Sequence, residues 1–453
     1  MSNFPRYESY KDSGVDWLDK IPAHWEVIRS KRLFQQRTER ARNDDEQLTA
    51  SQKFGVIFQE EFMELEGRRV TQVEFNRNIL KHIEPNDFLI SMRSFQGGIE
   101  FSRYRGCVSS AYVVLTPIKN IVPEFYQYLL KSDSYIRALS STSNLVRDGQ
   151  ALRFENFTLV DLIIIPKEEQ TAIAEFLDRK TAQIEQAIDQ KERLIELLKE
   201  RRQLLIHKAV TRGLNPNAKL KHSGVDWIGE IPEHWEVKPL RHLGKCQNGI
   251  SKGAEYFGSG FPFVNYSDIY KNPALPEKVD GLAESSKTDR EYYSVKEGDI
   301  FFTRTSETIE EIGLTSVCMK TIEDATFAGF LIRFRPLTGI LNKEFSKYYF
   351  RSYMHRDFFV KEMNLVIRAS LSQELLKKLP VLIAPVDEQK QIANYLDEKC
   401  KKIETAISSK QKEIEKLKEY KAVLINSAVT GKIKVCGNSQ NAEVKSNYAK
   451  SNE

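Results

Sequence analysis

The chain has 453 residues, which is more than one hydrophobic core usually organises, so we expect two or three domains. With 41% hydrophobic and 29% charged residues, its composition is that of a globular protein and not of a disordered or fibrous one. Its 68 Lys and Arg are nearly balanced by 63 Asp and Glu, which leaves a net charge of +5, so any nucleic-acid binding must come from local clusters of charge. The five cysteines include no C-x-x-C pair and do not cluster with the seven histidines, which disfavours a zinc site and a disulfide framework.

The start of the sequence, MSNFPRYESYKDSG, has no apolar core of signal-peptide length. No uninterrupted apolar run elsewhere approaches the roughly 20 residues that a helix needs to cross a bilayer. We therefore expect a cytoplasmic protein.

The first predicted element is one copy of a repeat, because residues 12–27 (DSGVDWLDKIPAHWEV) and 222–237 (HSGVDWIGEIPEHWEV) are identical at eleven of sixteen positions. These segments are named the A and A′ repeats. They contain all the tryptophans of the protein: Trp17, Trp25, Trp227 and Trp235. We expect these side chains to pack in the core rather than to stack on a ligand, and His24 and His234 to share that structural role.

A second repeat follows each variable region. Residues 166–211 and 385–430 are identical at half of their 46 positions and are named the B and B′ repeats. Each follows a short apolar run that ends in proline, at residues 163–166 and 381–385, which predicts a strand that ends where a helix begins. A glycine just beyond each repeat predicts the helix end.

The regions between the repeats, residues 28–165 and 238–384, look far less alike and differ in length by nine residues. This alternation indicates two halves that share a scaffold while their variable portions perform different versions of one task. Duplication followed by simple drift is the alternative, although drift should not spare both flanks together.

Apolar residues in the B and B′ repeats recur at spacings of three and four, which is typical of coiled-coil seams. The seam of B contains Ile184, Ile188, Ile195, Leu198 and Leu205. The seam of B′ contains Ile403, Ile407, Ile414, Leu417 and Leu424. Helices of about 40 residues would be roughly 60 Å long. We expect them to pack on each other, antiparallel if a pseudo-twofold axis relates the halves, with A docked near the end of B′; the alternative is that each helix packs only on its own domain.

Three features of the sequence point to one family. They are the motif SGVDWLDKIPAHWEV with its copy, the Pro-x-x-Glu-Gln motifs at residues 166–170 and 385–389, and the alternating order of repeats and variable regions. With them, residues 10 to about 432 resemble the specificity subunit of Type I restriction-modification enzymes. That family also tends to show a Gly-Asp-Ile/Phe-Leu-Ile/Phe strand followed by an Arg-Ser or similar pair. NDFLISMRS and GDIFFTRTS match it here, with Asn86 where glycine is usual.

The repeats and the resemblance together imply an α+β fold. Two target-recognition domains of mixed α/β character would be separated by two long antiparallel coiled-coil helices, with pseudo-twofold symmetry. We expect target-recognition domains at residues 1–165 and 213–384, conserved spacer helices at 166–212 and 385–432, and a disordered tail at 433–453.

The resemblance further implies a non-catalytic, sequence-specific DNA-binding subunit that recognises a bipartite, asymmetric DNA site, one half per domain. The implied partners are double-stranded DNA, two modification (methyltransferase) subunits that carry S-adenosylmethionine, and restriction subunits that use ATP and Mg. It implies no cofactor, metal or membrane partner for this chain itself.

Base edges are read by side chains with fixed donor and acceptor patterns, whereas phosphates need only positive charge or hydroxyls. The DNA-binding candidates are basic and polar residues in loops. Some lie in the loops that follow the strands of NDFLISMRS and GDIFFTRTS, which are named the reading loops, and the others lie in other loops of the same domains. In the first domain they are Arg93, Ser94, Gln96, Arg103, Arg105, Arg147 and Gln150. In the second domain they are Lys252, Arg304, Thr305, Ser306, Arg368 and Ser370.

Motifs for catalysis are absent from the sequence. There is no Asn/Asp-Pro-Pro-Tyr/Phe motif of an adenine methyltransferase and no G-x-x-x-x-G-K-[ST] phosphate loop of a motor. Two alternatives remain open at this point: a stand-alone nuclease with twin recognition domains, and a coiled-coil scaffold with no role on DNA.

Overall fold

A computed structural model of the chain describes residues 4–67, 79–91, 98–142, 152–306, 312–355, 358–359 and 369–435. The chain divides into two compact units. Unit 1 consists of Met1–Lys191 and Lys412–Glu453, and unit 2 consists of Glu192–Gln411. Both divisions fall inside long helices, so each unit contains part of both helices. The tail predicted at 433–453 lies outside the described residues from 436 onward.

The elements of unit 1 are short strands and helices ahead of the first long helix. The strands are β1 Tyr10–Asp12, β2 Lys20–Pro22, β3 Glu26–Ile28, β4 Phe34–Arg37, β5 Leu48–Ser51, β6 Gly55–Phe58, β7 Lys81–Ile83, β8 Phe88–Ile90, β9 Glu100–Phe101, β10 Gly106–Val108, β11 Val113–Pro117 and β12 Leu162–Ile164. The helices are α1 Gln59–Glu66, α2 Pro123–Leu129, α3 Asp133–Ser141, α4 Phe154–Thr158 and α5 Lys167–Arg212, the last of which continues into unit 2.

The elements of unit 2 follow the same plan with additions. The strands are β13 Leu220–His222, β14 Glu230–Pro232, β15 Glu236–Pro239, β16 Gly244–Asn248, β17 Phe257–Val264, β18 Leu282–Ala283, β19 Ile300–Thr303, β20 Thr305–Ser306, β21 Thr315–Val317, β22 Thr326–Phe327, β23 Leu331–Pro336, β24 Ala369–Ser370 and β25 Pro380–Ile383. The helices are α6 Tyr266–Lys271, α7 Lys287–Tyr292, α8 Lys343–Tyr349, α9 Gln373–Lys378 and α10 Val386–Val429, the last of which continues into unit 1.

The same four-stranded antiparallel sheet lies at the centre of both units. Its strand order is β4-β11-β8-β9 in unit 1 and β16-β23-β19-β21 in unit 2. Leu115 pairs with Phe88 in the first sheet, and Phe334 pairs with Ile300 at the matching position of the second. Strands β8 and β19 are buried along their whole length, which explains their continuous apolar sequences. The two variable regions therefore share a scaffold although their sequences differ.

The A repeat at the start of the chain packs on the end of α10 within unit 1. Trp25 is fully buried in the core cluster that contains Leu424 and Val429. The amide of Lys434 donates to the carbonyl of Pro5 at 2.8 Å. In unit 2, the equivalent core cluster joins Trp235 to Ala209 and Val210 at the end of α5. The predicted docking of A near the end of B′ is confirmed.

The two long helices pack antiparallel within each unit. In unit 1, Lys191 Nζ lies 2.6 Å from Glu413 Oε2, and Lys421 Nζ lies 2.5 Å from Glu185 Oε1. Since the partner number rises as the first number falls, the chains run in opposite directions. In unit 2, the pair is Arg202 Nη1 to Glu404 Oε1 at 3.2 Å. An α+β fold with two recognition-type domains and two long antiparallel helices was predicted, and it is confirmed.

The predicted seam residues lie on the inner sides of these helices. The buried ones are Ile184, Ile195, Ile407, Ile414 and Leu424, and the half-buried ones are Ile188, Leu198, Leu205, Ile403 and Leu417. Neighbouring leucines on the outer side of α5, such as Leu197 and Leu204, are more than half exposed at 61% and 62%. The burial of the helix is therefore one-sided, as pairing along a seam requires.

Candidate nucleic-acid interface

A glutamine in each Pro-x-x-Glu-Gln motif fixes the start of each long helix to its domain. Gln170 accepts a hydrogen bond from the amide of Val122 at 2.8 Å and donates to the carbonyl of Ile165 at 2.8 Å. Gln389 accepts from the amide of Asn342 at 2.8 Å and donates to the carbonyl of Ala384 at 2.8 Å. Because both glutamines are buried, these bonds satisfy the polar groups of their own side chains, which water cannot reach.

The glutamate of the same motif joins the A-type repeats to the helices. His24 Nε2 lies 2.8 Å from Glu169 Oε2, and the hydroxyl of Tyr7 donates to the same carboxylate. In unit 2, His234 Nε2 lies 2.8 Å from Glu388 Oε2. The indole of Trp235 donates to that oxygen at 3.0 Å. The histidines and the buried tryptophans of both repeats therefore serve the structure, as predicted.

A tight turn precedes the strand that leads to each predicted reading loop. Asn86 has φ of +73° and Gly298 has φ of +85°, so both residues adopt the left-handed conformation. Asparagine tolerates this conformation better than most residues do, which explains how it replaces the usual glycine. The next residue, an aspartate, is buried in both units and binds an arginine of the sheet. Arg37 Nε lies 2.7 Å from Asp87 Oδ2, and Arg335 Nε lies 2.6 Å from Asp299 Oδ1.

Three of the candidates in the second domain meet beyond the end of β19. Thr305 pairs with Ser370 between β20 and β24. The carbonyl of Arg304 accepts a hydrogen bond from the amide of Leu371 at 2.7 Å, next to Ser370. Thr305 is half-buried and Ser370 is exposed, so these two hydroxyl residues and Arg304 belong to neighbouring backbone segments beyond one end of the sheet. Basic and hydroxyl groups of this kind suit contacts with phosphates and bases.

The turn between β22 and β23 lies against the same residues. The amide of Arg304 donates to the carbonyl of Phe330 at 2.9 Å, and Arg304 Nη1 lies 3.5 Å from the carbonyl of Gly329. Phe330 is 64% exposed. Nothing in the local sequence distinguishes this exposed position, because the run AGFLIRF is typical of a continuous buried strand.

Lys252 belongs to a loop that packs on this turn but is itself engaged elsewhere. The amide of Gly329 donates to the carbonyl of Ile250 at 2.8 Å. Lys252 Nζ lies 3.1 Å from Asp289 Oδ2 and 4.2 Å from the centre of the Tyr256 ring. The hydrogen bond to Asp289 raises the pKa of Lys252 above its ordinary value. The lysine is therefore charged, and a phosphate would have to compete with Asp289 for it.

The described candidates of the first domain differ in how freely they could meet DNA. Arg103 is exposed, and its guanidinium lies 5.8 Å from the ring centre of Phe101. Arg105 Nη2 lies 2.7 Å from Asp44 Oδ2, and this bond lowers the pKa of Asp44. Arg105 is thus already neutralised by an acid that lies far from it in sequence.

Several candidates lie outside the described residues: Arg93, Ser94, Gln96, Arg147, Gln150 and Arg368. Ser306 pairs through its backbone with Ala369. Within the part of the chain that the structure describes, no group of three or more His, Cys, Asp and Glu side chains could hold a metal ion. None of the described helices is long and apolar enough to cross a bilayer.

Comparisons with known proteins agree on one family. A family model described as the Type I restriction modification DNA specificity domain matches residues 22–194 and 232–418. The Type I restriction enzyme MjaVIII specificity subunit of Methanocaldococcus jannaschii is 25% identical over 367 residues, which cover 80% of this chain and 81% of that protein. The Type I restriction enzyme EcoKI specificity subunit of Escherichia coli K12 is 27% identical over 339 residues, which cover 71% and 70% of the two chains.

Two solved structures share the fold. A chain from a study of complex assembly and conformational transition of the type I R-M system matches with a TM-score of 0.69 and 14% identity, covering 90% of this chain and 98% of that one. The HsdS subunit from Thermoanaerobacter tengcongensis matches with a TM-score of 0.51 and 15% identity, covering 91% and 98% of the two chains.

Proposed function

Because this chain belongs to the Type I restriction-modification DNA specificity family, we propose that it selects the DNA sequence on which a Type I restriction-modification complex acts. As in the specificity subunits that it resembles, its role is DNA recognition and not catalysis. None of the relatives or structural neighbours favours the stand-alone nuclease considered above. The resemblance inferred from the repeated motifs is confirmed by the match of the family model to both halves.

This function is supported by two domains that share one central sheet but have different strands around it. Both units have the same central sheet, but the described parts of unit 1 add the pairs β5-β6 and β10-β7. Those of unit 2 add the sheet β18-β17-β22 and the pair β20-β24. A shared sheet with unlike surroundings suits two domains that bind DNA in the same manner and read different sequences. The DNA site would accordingly be bipartite and asymmetric.

We place DNA at the ends of β8 and β19, where the predicted reading loops begin. In unit 2, the supporting observation is the meeting of Arg304, Thr305 and Ser370 at that end. An arginine can donate two hydrogen bonds to guanine, and hydroxyls can bind either phosphates or bases. In unit 1, the exposed candidate Arg103 lies beside the turn at Asn86, at the opposite end of β8, so it does not support this placement.

The long helices would set the gap between the two half-sites. Their matched seams and their ion pairs, Glu185 with Lys421 and Glu404 with Arg202, occupy equivalent positions in the B and B′ repeats. The length of a helix follows from its number of residues, at about 1.5 Å per residue. The gap in the DNA site would then follow from the number of residues in the helices and not from the reading loops.

Two modification subunits would bind this chain, and restriction subunits would join the complex. The support is the duplicated joint: the His24–Glu169 and His234–Glu388 contacts give each unit the same junction between repeat and helix. Two equivalent junctions suit two copies of one partner. S-adenosylmethionine would belong to the modification subunits, and ATP and Mg to the restriction subunits. Such a complex would act on DNA in the cytoplasm.

The proposal is tested by mapping methylated adenines in cells that contain this chain and its modification subunits, with and without an intact gene for the chain. We expect one bipartite sequence, with two unlike halves and a fixed gap, to lose its methylation when the chain is absent. Methylation that is unchanged without the chain would contradict the proposal. The purified chain alone should neither cut nor methylate DNA, because its family supplies recognition.

A further inference from the structure

The exposed ring of Phe330 occupies the tip of a tight turn. The amide of Leu331 donates to the carbonyl of Ala328 at 3.0 Å, so residues 328–331 form a β-turn with Phe330 at its third position. Phe330 is 64% exposed, whereas the next residue, Leu331, is fully buried at the start of β23. The turn therefore directs this phenyl ring to solvent while the chain on either side of it packs inside.

The backbone of the turn is held from three sides. The carbonyl of Phe330 accepts from the amide of Arg304, and the amide of Gly329 donates to Ile250. A side chain at Gly329 would collide with the hydroxyl of Ser251, so glycine lets that loop approach closely. The amide of Ala328 donates to the carbonyl of Val264 at 3.0 Å. The ring is thus presented on a fixed support and does not belong to a loose loop.

An exposed phenylalanine alone needs no explanation, because single apolar residues are common on protein surfaces. The residues next to Phe330 indicate a function for its ring. Arg304, which we propose to contact DNA, donates to this turn, and the candidates Thr305 and Ser370 follow on the paired strands β20 and β24. Among those polar groups an apolar ring has a specific use, since Phe can contact the methyl group of thymine or insert between base steps.

The first domain has the same turn with a different residue at its tip. The amide of Tyr112 donates to the carbonyl of Ser109 at 3.1 Å, just before β11, and Ala111 takes the third position of that turn. Ala111 is exposed. The turn is therefore common to the two units, and the size of the apolar group at its tip differs between them. Such a difference is expected at a position that distinguishes two half-sites.

We propose that Phe330 is a specificity-determining residue that makes an apolar contact with bases of the half-site read by unit 2. This inference rests on the proposed function of the chain. Arg304 beside it would hold the DNA backbone or a guanine, and the ring would select among the bases next to that contact. The Phe330 ring would contact bases through its apolar surface and would donate no hydrogen bond.

The test uses the full chain in complex with its modification subunits and a duplex that carries the mapped methylation site. Phe330→Ala, which installs the residue of the first domain, should weaken binding to that duplex by roughly 5- to 100-fold. Phe330→Leu, which keeps an apolar side chain, should weaken it less. Leu337→Ala removes a 52% exposed apolar residue that follows the opposite end of β23, and it should bind as the wild type does.

The loss of affinity must also arise at the half-site that unit 2 reads, which is the second half-site. For Phe330→Ala, discrimination between the mapped second half-site and a scrambled one should fall, while discrimination at the first half-site stays unchanged. Thermal unfolding of Phe330→Ala should match the wild type because the ring is exposed. Wild-type affinity together with an unchanged methylated sequence would overturn the inference. If the wild-type complex itself bound no specific sequence, the proposed function would fail instead.

Discussion

Nε2 of His24 lies 2.8 Å from Oε2 of Glu169, across 145 positions of the chain, and this contact ties the first repeat to the first residues of α5. Glu169 also accepts from the hydroxyl of Tyr7, and both Glu169 and Tyr7 are buried. Since His234 and Glu388 repeat the contact in unit 2, it is a joint of the scaffold and not a feature of one reader.

Glu169→Ala should therefore destabilise unit 1. The substitution removes the carboxylate that the Tyr7 hydroxyl and His24 bind, and a hydrogen bond to a charged group contributes about 1.5–3 kcal/mol. Thermal unfolding should show a loss of several degrees, at about 2–4 °C per kcal/mol for a unit of this size. Glu168→Ala, at an exposed neighbouring position in the first turn of α5, is the control and should lower the unfolding temperature much less.

The left-handed turns before β8 and β19 give a matched pair of substitutions. Gly298→Ala should lower the free energy of unfolding by about 1–2 kcal/mol because an L-residue is strained at φ of +85°. A Cβ at this position would meet nothing within 4 Å, so conformation alone sets the cost. Asn86→Gly should be neutral or slightly stabilising. Urea unfolding measures both changes, and equal effects of the two variants would contradict the explanation.

Glu100 should make the stability of unit 1 depend on pH. Burial raises the pKa of this carboxyl, although the ammonium of Lys131 lies 2.5 Å away and opposes the shift. A raised pKa means that the folded state favours the protonated form, so the stability it contributes is present at low pH and is lost as pH rises through the folded pKa.

Glu100→Gln should consequently be more stable than the wild type at neutral pH, and the difference should shrink as the pH is lowered into the acid range. Unfolding temperatures between pH 4 and 8 test this. Glu155→Gln, at an exposed carboxyl of unit 1, is the control and should show no such trend. A less stable Glu100→Gln at neutral pH would mean that the pair with Lys131 outweighs the cost of burial.

Arg304 should contribute to DNA affinity without contributing much to the fold. Arg304→Ala should weaken binding of the complex to its mapped site by roughly 5- to 100-fold, as expected for an arginine that contacts a base or phosphate. Arg241→Ala, at an exposed position beside the A′ repeat, is the matched control. Fluorescence anisotropy at several salt concentrations checks both, and wild-type affinity of the Arg304 variant would remove this residue from the interface.

The scaffold could be predicted from the sequence because the segments that form it occur in two similar copies. The A and B repeats gave the junction of strand and helix correctly: β12 ends at Ile164 and α5 begins at Lys167, with the same arrangement before α10. Seam spacing predicted paired helices because the pairing depends on a local period.

The details of the interface could not be predicted in the same way, because they depend on contacts between distant parts of the chain. Arg105 pairs with Asp44, 61 positions away. Phe330 is exposed at the tip of a turn that interrupts an apolar run, and distant residues such as Ile250 bind the backbone of that turn. No local pattern around either residue carries that information.

If the paired helices set the gap between the two half-sites, lengthening both helices should lengthen that gap. Seven residues, one heptad, inserted after Lys191 and after Gln411 would preserve the seams and add about 10 Å to each helix. Mapping of methylated adenines should then show the same two half-sites with a gap that is longer by about 3 base pairs, at ~3.4 Å per base pair. Insertion into α5 alone puts the seams out of register and should abolish methylation. Intact methylation at the original gap, with both helices lengthened, would mean that the helices do not set the spacing.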